Sequence, residues 1–201
     1  MAEGWELVLD SGAKPADRAQ AWEDLTTVVR RPVVAYLRRC MSGFREPERV
    51  AEEVIESVQL DHEGSDETGV RLRACVAAAL DTELRDRDIE VTVDEEFDRD
   101  WASSLLFEAL QEMKQTLPRT YALLLRLYDR PEGEAALDAD GLARRLEQPV
   151  DEVHEQLIEG RAELQQRFLG QVRLTVADAG MTAAEAAHLL QFTRRLFGDA
   201  E

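Results

Sequence analysis

Apolar residues recur at spacings of three and four along most of this 201-residue chain, the period of a helix that buries one face. Over 16–40, Ala19, Trp22, Leu25, Val28, Val29, Val33, Tyr36, Leu37 and Cys40 follow that period, and Pro32 predicts a kink or a break. Arg38 and Arg39 then fall near a helix C-terminus, where the macrodipole favours cations. A second helix is predicted to start near Pro47, because proline is tolerated in a first helical turn. It sets Val50, Val54, Ile55 and Val58 on one face and Glu48, Glu52, Glu53 and Glu56 elsewhere. The polar stretch 61–68, with Gly64, reads as a loop. From Val70 to about Arg87 a third helix turns Leu72, Cys75, Val76, Ala79, Leu80 and Leu84 inward. Residues 89–93 alternate as a strand would, but one short strand has no partner, so 88–96 reads as an extended linker and a domain boundary.

Beyond that linker the helical style continues without repeating the sequence. Phe97, Trp101, Leu105, Leu106, Ala109, Leu110 and Met113 mark a helix that ends near Thr116. Pro118 restarts the chain, 121–128 is apolar on most sides, and 130–137 reads as a loop. Asp138 or Asp140 can cap a short helix bearing Leu142, Ala143 and Leu146. A tight connection at Glu147, Gln148 and Pro149 leads into a longer helix with Val153, Leu157, Leu164 and Phe168. A short helix, a turn of three or four residues and a longer helix make the pattern of a helix-turn-helix. The amphipathic segment from Thr182 to Phe197 is expected to pack back on this second domain. The expectation is an all-α protein of seven to nine helices and no sheet. Two small helical domains, 1–87 and 97–201, are joined by 88–96, and the second contains the helix-turn-helix. Amphipathic placement expects Trp22 and Trp101 to be buried.

Charge narrows function more than fold. Forty-two acids against 24 bases leave a formal net charge of −18, a field that repels nucleic acid and anionic lipid at range while leaving room for a local basic stripe. Cys40 and Cys75 lie in apolar helical contexts with no secretory signal ahead of them, and are expected to be reduced core thiols of a cytoplasmic protein. No apolar run approaches the roughly 18 to 20 residues of a membrane span, so no membrane partner is expected. The chain has no Gly-rich phosphate loop, no G-x-S-x-G, and no pair of His or Cys at metal-ligand spacing. His62, His154 and His188 are far apart and read as surface residues. No enzymatic activity, catalytic residue, metal or cofactor is expected.

Several stretches then carry a family resemblance. Ala51-Glu-Glu-Val-Ile-Glu-Ser-Val-Gln-Leu60 is similar to A-E-D-L-V-Q-E-V-F-L, the polymerase-docking helix of bacterial RNA polymerase sigma factors of the extracytoplasmic-function type. Trp5-Glu-Leu-Val-Leu9 and Phe97-Asp-Arg-Asp-Trp-Ala102 resemble W-x-L-V-L and F-D-R-x-W-A of one subgroup, in which Thr175-Val-Ala-Asp178 also has a counterpart. Asp140 to Leu164 resembles the family's C-terminal helix-turn-helix. The order of these stretches follows the family over nearly the whole chain. The resemblance implies a region 2-like domain over 1–87, for the polymerase clamp and the downstream promoter element. It implies a region 4-like domain over 97–201, for the upstream element and the polymerase flap. It makes core RNA polymerase the expected partner, bound through Glu52, Glu53, Ile55, Glu56 and Gln59. Promoter DNA is a second candidate partner, with Arg71, Arg73, Arg85, Arg87, His154, Gln156 and Arg161 as the candidate contacts.

The sequence departs from the family on the surfaces that would touch DNA. Asp81, Thr82, Glu83 and Asp86 stand where the subgroup has basic, aromatic and amide residues to grip a single strand. Glu56, Ser57 and Gln59 stand where the family has Gln, Glu and Phe; His154, Glu159 and Glu147 stand where it has lysine, arginine and glycine. Between Asp129 and Glu163 there are eleven acids and four bases, a net −7. Over 150–163, Asp151, Glu152, Glu155, Glu159 and Glu163 face one arginine, Arg161, whereas a major-groove helix needs cations and bidentate readers. Two readings follow. One is a sigma-type initiation protein that binds core polymerase. The other keeps the fold, has lost DNA binding, and binds an anti-sigma or other basic regulatory protein through acidic helices.

Overall fold

The computed structural model describes residues 3–40, 45–89, 93–128 and 139–197, and among them the regular structure is entirely helical. The helices are α1 (Trp5–Leu9), α2 (Pro15–Cys40), α3 (Pro47–His62), α4 (Leu72–Asp86), α5 (Glu95–Thr116), α6 (Pro118–Tyr128), α7 (Ala139–Leu146), α8 (Val150–Leu174) and α9 (Thr182–Phe197). A 3₁₀ turn, Ala179–Met181, precedes α9. The described residues include no strand; one isolated antiparallel bridge joins Arg71 to Val176.

Of the kink or break expected at Pro32, the break is absent: α2 runs unbroken through it. An interior proline costs about 3 kcal/mol. Here Leu25, Val29, Val33, Tyr36 and Leu37 continue one buried stripe on both sides of it, and Pro32 itself is buried. Each such side chain gains roughly 1.5–3 kcal/mol on burial, so the stripe outweighs the missing hydrogen bond. Pro47 opens α3 as expected, and α3 runs two residues into the predicted loop. The rest of that loop is tied to the end of α1: Gly64 N–H donates to Val8 O at 2.9 Å and Asp66 N–H to Leu9 O at 2.9 Å.

The chain divides into two compact units, Met1–Leu105 with Leu169–Thr193, and Leu106–Phe168 with Arg194–Glu201. The division falls within α5 and α8, not at 88–96. In the first unit Phe97 of α5 meets Tyr36 of α2 edge-on at 5.7 Å between ring centroids, and Trp101 lies 5.9 Å from Phe97. These aromatic contacts hold the start of α5 with α2. The α9 segment, expected on the second domain, belongs to the first unit through Thr193, where Glu185 and His188 reach polar partners on α4 and α5. All three tryptophans are buried, Trp5 included; Trp5 and Trp22 stand 6.0 Å apart. Cys40 is exposed at the end of α2, so only Cys75 fits the description of a covered thiol. Burial, reinforced by the charge of Glu67, pushes the Cys75 thiol up to about 11. Residues 90–92 of the proposed linker and the predicted 130–137 loop lie outside the described residues.

In the second unit Ala109, Met113, Leu124, Leu142, Ala143, Val153, Leu157, Leu164 and Phe168 are buried. α7 closes with a Schellman turn: Gln148 N–H donates to Ala143 O at 3.1 Å and Glu147 N–H to Arg144 O at 3.4 Å. The turn places Glu147 at φ 55, the left-handed conformation that glycine adopts without strain. Glu147 therefore meets this backbone requirement at a cost.

Candidate functional site

Three surfaces bear the residues expected to act. On α3, Glu52 and Glu56 are exposed and share one helical stripe with Leu60, each four residues from the next. Leu60 is 77% exposed, the most open of the large apolar side chains among the described residues. Glu52 accepts from Arg30 Nη2 at 3.3 Å, Glu53 is half-buried and held by Arg87, and Gln59 donates to Glu63 at 3.1 Å. Ile55 does not belong to this surface. It is buried with Val54 and Val58, because its position in the period turns it to the core. Sequence comparison placed Ile55 in the docking set and passed over Leu60; the period alone would have exchanged them.

The arginines of α4 and its N-cap face carboxylates. Arg73 is 13% exposed and lies between Glu185 of α9, at 2.7 Å, and Asp98 of α5. Glu185 is 2% exposed and also has Arg71 Nε at 3.0 Å. His188 Nε2 completes the group, 2.7 Å from the other oxygen of Asp98. Burial opposes the charge of Arg73, but the hydrogen bond and charge of Glu185 together with Asp98 prevail and raise its pKa. Arg87 bonds Glu83 at 2.7 Å and also meets Glu53, and these contacts raise its pKa in turn. Arg85 pairs with Asp81. Asp81 and Glu83 thus have a local use as counter-ions for Arg85 and Arg87 one helical turn on.

α8 presents the opposite condition. Val153, Leu157, Gly160 and Leu164 are buried, leaving Asp151, Glu152, His154, Glu155, Gln156, Ile158 and Glu159 exposed. Among the described residues none of Asp151, Glu152, Glu155 or Glu159 forms an ion pair. Ile158 is 66% exposed in their midst. His154 stands 3.4 Å from Asp140, and Arg161 is half-buried and engaged. His154 and Gln156 do not converge, since two residues along a helix turn it by about 200°.

The local basic stripe lies on α2, where sequence reasoning did not place it. Arg30, Arg31 and Arg38, with Thr27, Val34, Ala35 and Glu48, line a groove of about 450 Å³. The spacing of Arg31 and Arg38 by seven residues, two turns along one helix, was the available signal. Arg30 and Arg38 pair across to Glu52 and Glu48 of α3.

Among the described residues no group of three or more His, Cys, Asp or Glu is placed to hold a metal ion, and no helix is long and apolar enough to cross a membrane. No family model, no curated protein and no solved structure matches this chain.

Proposed function

We propose that this protein is a sigma-like protein of the cytoplasm that docks on core RNA polymerase through the solvent face of α3 and does not read duplex promoter DNA through α8. The observation that carries the second half is the face of α8, where Asp151, Glu152, Glu155 and Glu159 are exposed and, among the described residues, form no ion pair. A helix entering the major groove gains affinity by neutralising phosphates, and four carboxylates do the reverse. The ion pairs of Arg71, Arg73, Arg85 and Arg87 support the same reading, because carboxylates already occupy those cations. The polymerase half rests on the resemblance of 51–60 and is supported by the Glu52, Glu56 and Leu60 stripe, an apolar anchor with an acidic rim. Anchors of this kind carry most of the energy of small interfaces, and the rim charges steer a basic partner surface.

The test is an equilibrium titration of labelled full-length protein with core RNA polymerase at near-physiological salt. Saturable binding that a sigma factor displaces is expected, with Leu60→Asp weakening it by at least about tenfold while the melting temperature holds. A folded wild type that does not bind, or a Leu60→Asp variant that binds as wild type does, defeats docking through α3.

A second reading, a working sigma factor that recognises its promoter, draws support from the order of α7, a three-residue connection and α8, which is that of a helix-turn-helix. It predicts duplex binding by the wild type with a salt slope of several phosphate contacts, measurable by anisotropy in the same samples.

A further inference from the structure

A second groove of about 460 Å³ runs along the N-terminal half of α2, on a side that no expected contact residue occupies. Leu7 of α1, Ala21, Leu25 and Val28 of α2, and Leu174 give it an apolar lining. Ala21 and Leu25 are 6% and 2% exposed and form its floor, while Leu7, Val28 and Leu174 are half-buried. Glu3, Asp17, Gln20 and Asp24 are exposed around it. Among the described residues Glu3, Asp17 and Asp24 form no ion pair; Asp24 accepts a hydrogen bond from Gln20 at 3.0 Å. One wall is set by a close approach. Gly4 adopts φ 54, and a Cβ there would lie 2.4 Å from the carbonyl oxygen of Leu174.

We infer that this groove is the docking site for a basic amphipathic helix of a protein partner. Its volume falls within the roughly 300–1,000 Å³ of binding clefts. The lining residues of α2 recur at 17, 20, 21, 24, 25 and 28, so the groove follows three turns of helix, about 16 Å. Asp17 and Asp24 are two turns apart, about 10 Å along the axis, which is farther than one ammonium group reaches. A single small cation satisfies one end only. A helix with apolar residues at i, i+3, i+4 and i+7 fills the trough, and its flanking lysines or arginines meet Asp17, Asp24 and Glu3 together. The three carboxylates supply charge complementarity at the rim and the apolar floor supplies the burial. None of these residues lies on α3, and only Leu174, the last residue of α8, lies on that helix, so this site stands apart from polymerase docking.

The probe is a fluorescent helical peptide of about five turns, made of leucine at those positions and lysine elsewhere. Its affinity for the full-length protein is read by anisotropy, beside a matched peptide with glutamate in place of lysine. Two double variants change the net charge equally: Asp17→Lys with Asp24→Lys at the groove, and Glu155→Lys with Glu159→Lys on α8. The groove variant is expected to weaken the leucine–lysine peptide by at least about tenfold and the α8 variant by less than about twofold. Equal weakening by both variants means attraction by net charge alone and overturns the site. Weakening only by the α8 variant moves the peptide to α8 and overturns it too. Absence of binding, or equal binding of the leucine–glutamate peptide, does the same.

Discussion

Arg73 sits between Glu185 and Asp98 inside the first unit, with Arg71 and His188 closing the group, and each acid there has a cation within reach. On α8, Asp151, Glu152, Glu155 and Glu159 stand exposed with none among the described residues. The two regions carry similar residue types and use them in opposite ways. Around Arg73 the carboxylates are counter-ions that let an arginine be covered by packed helices. On α8 they are left to project a field. A net charge of −18 is therefore not a uniform coat. It is an excess that remains where the fold has supplied no partner, and that is where it decides which molecules approach.

The contrast can be broken most forcefully at Arg73. Arg73→Met leaves Glu185, 2% exposed, and Asp98 without their shared guanidinium, and the expected loss is about 3 kcal/mol of unfolding free energy. Arg85→Ala removes an exposed pair with Asp81 and is expected to change stability by less than about 1 kcal/mol. Urea titrations of both variants decide the matter, and equal losses would erase the distinction between covered and exposed pairs. Next in size is the α8 face. Glu155→Lys with Glu159→Lys is expected to raise affinity for duplex DNA by about tenfold at low salt and to steepen its salt dependence, whereas the wild type shows neither. A variant with unchanged DNA affinity means that this face never comes near the duplex. The smallest effect sharpens the same comparison. Glu147→Gly relieves a left-handed residue at φ 55 and is expected to stabilise the protein by about 0.5–1 kcal/mol in thermal melts. Because it leaves the face of α8 intact, DNA binding should stay as in the wild type. A gain in DNA binding from this change alone would transfer the discrimination from the face to the turn.

The amino-acid sequence carried the helical character, most helix boundaries and the inward face of each helix, because a period of three and four is a local signal that needs no partner to be read. It carried the acidity of α8 in the same way. Ile55 illustrates a conflict between two signals within it: the period set Ile55 with Val54 and Val58, the motif comparison set it with Glu52 and Glu56, and the period prevailed. At Pro32 the helix continues without a break, since the buried stripe from Leu25 to Leu37 runs on both sides of the proline. What only the tertiary structure decided is which helices associate and which charges meet. Arg73 and Glu185 are 112 residues apart, and Tyr36 and Phe97 are separated by the whole of α3 and α4. Neither pair leaves a periodic trace, because a long-range contact depends on geometry that many helix arrangements would satisfy in outline and one satisfies in detail. For that reason Arg73 read as a candidate DNA contact along the chain, while the fold sets it between Glu185 and Asp98. The carboxylates Asp151, Glu152, Glu155 and Glu159 of α8 are exposed, as their place in the helical period indicated.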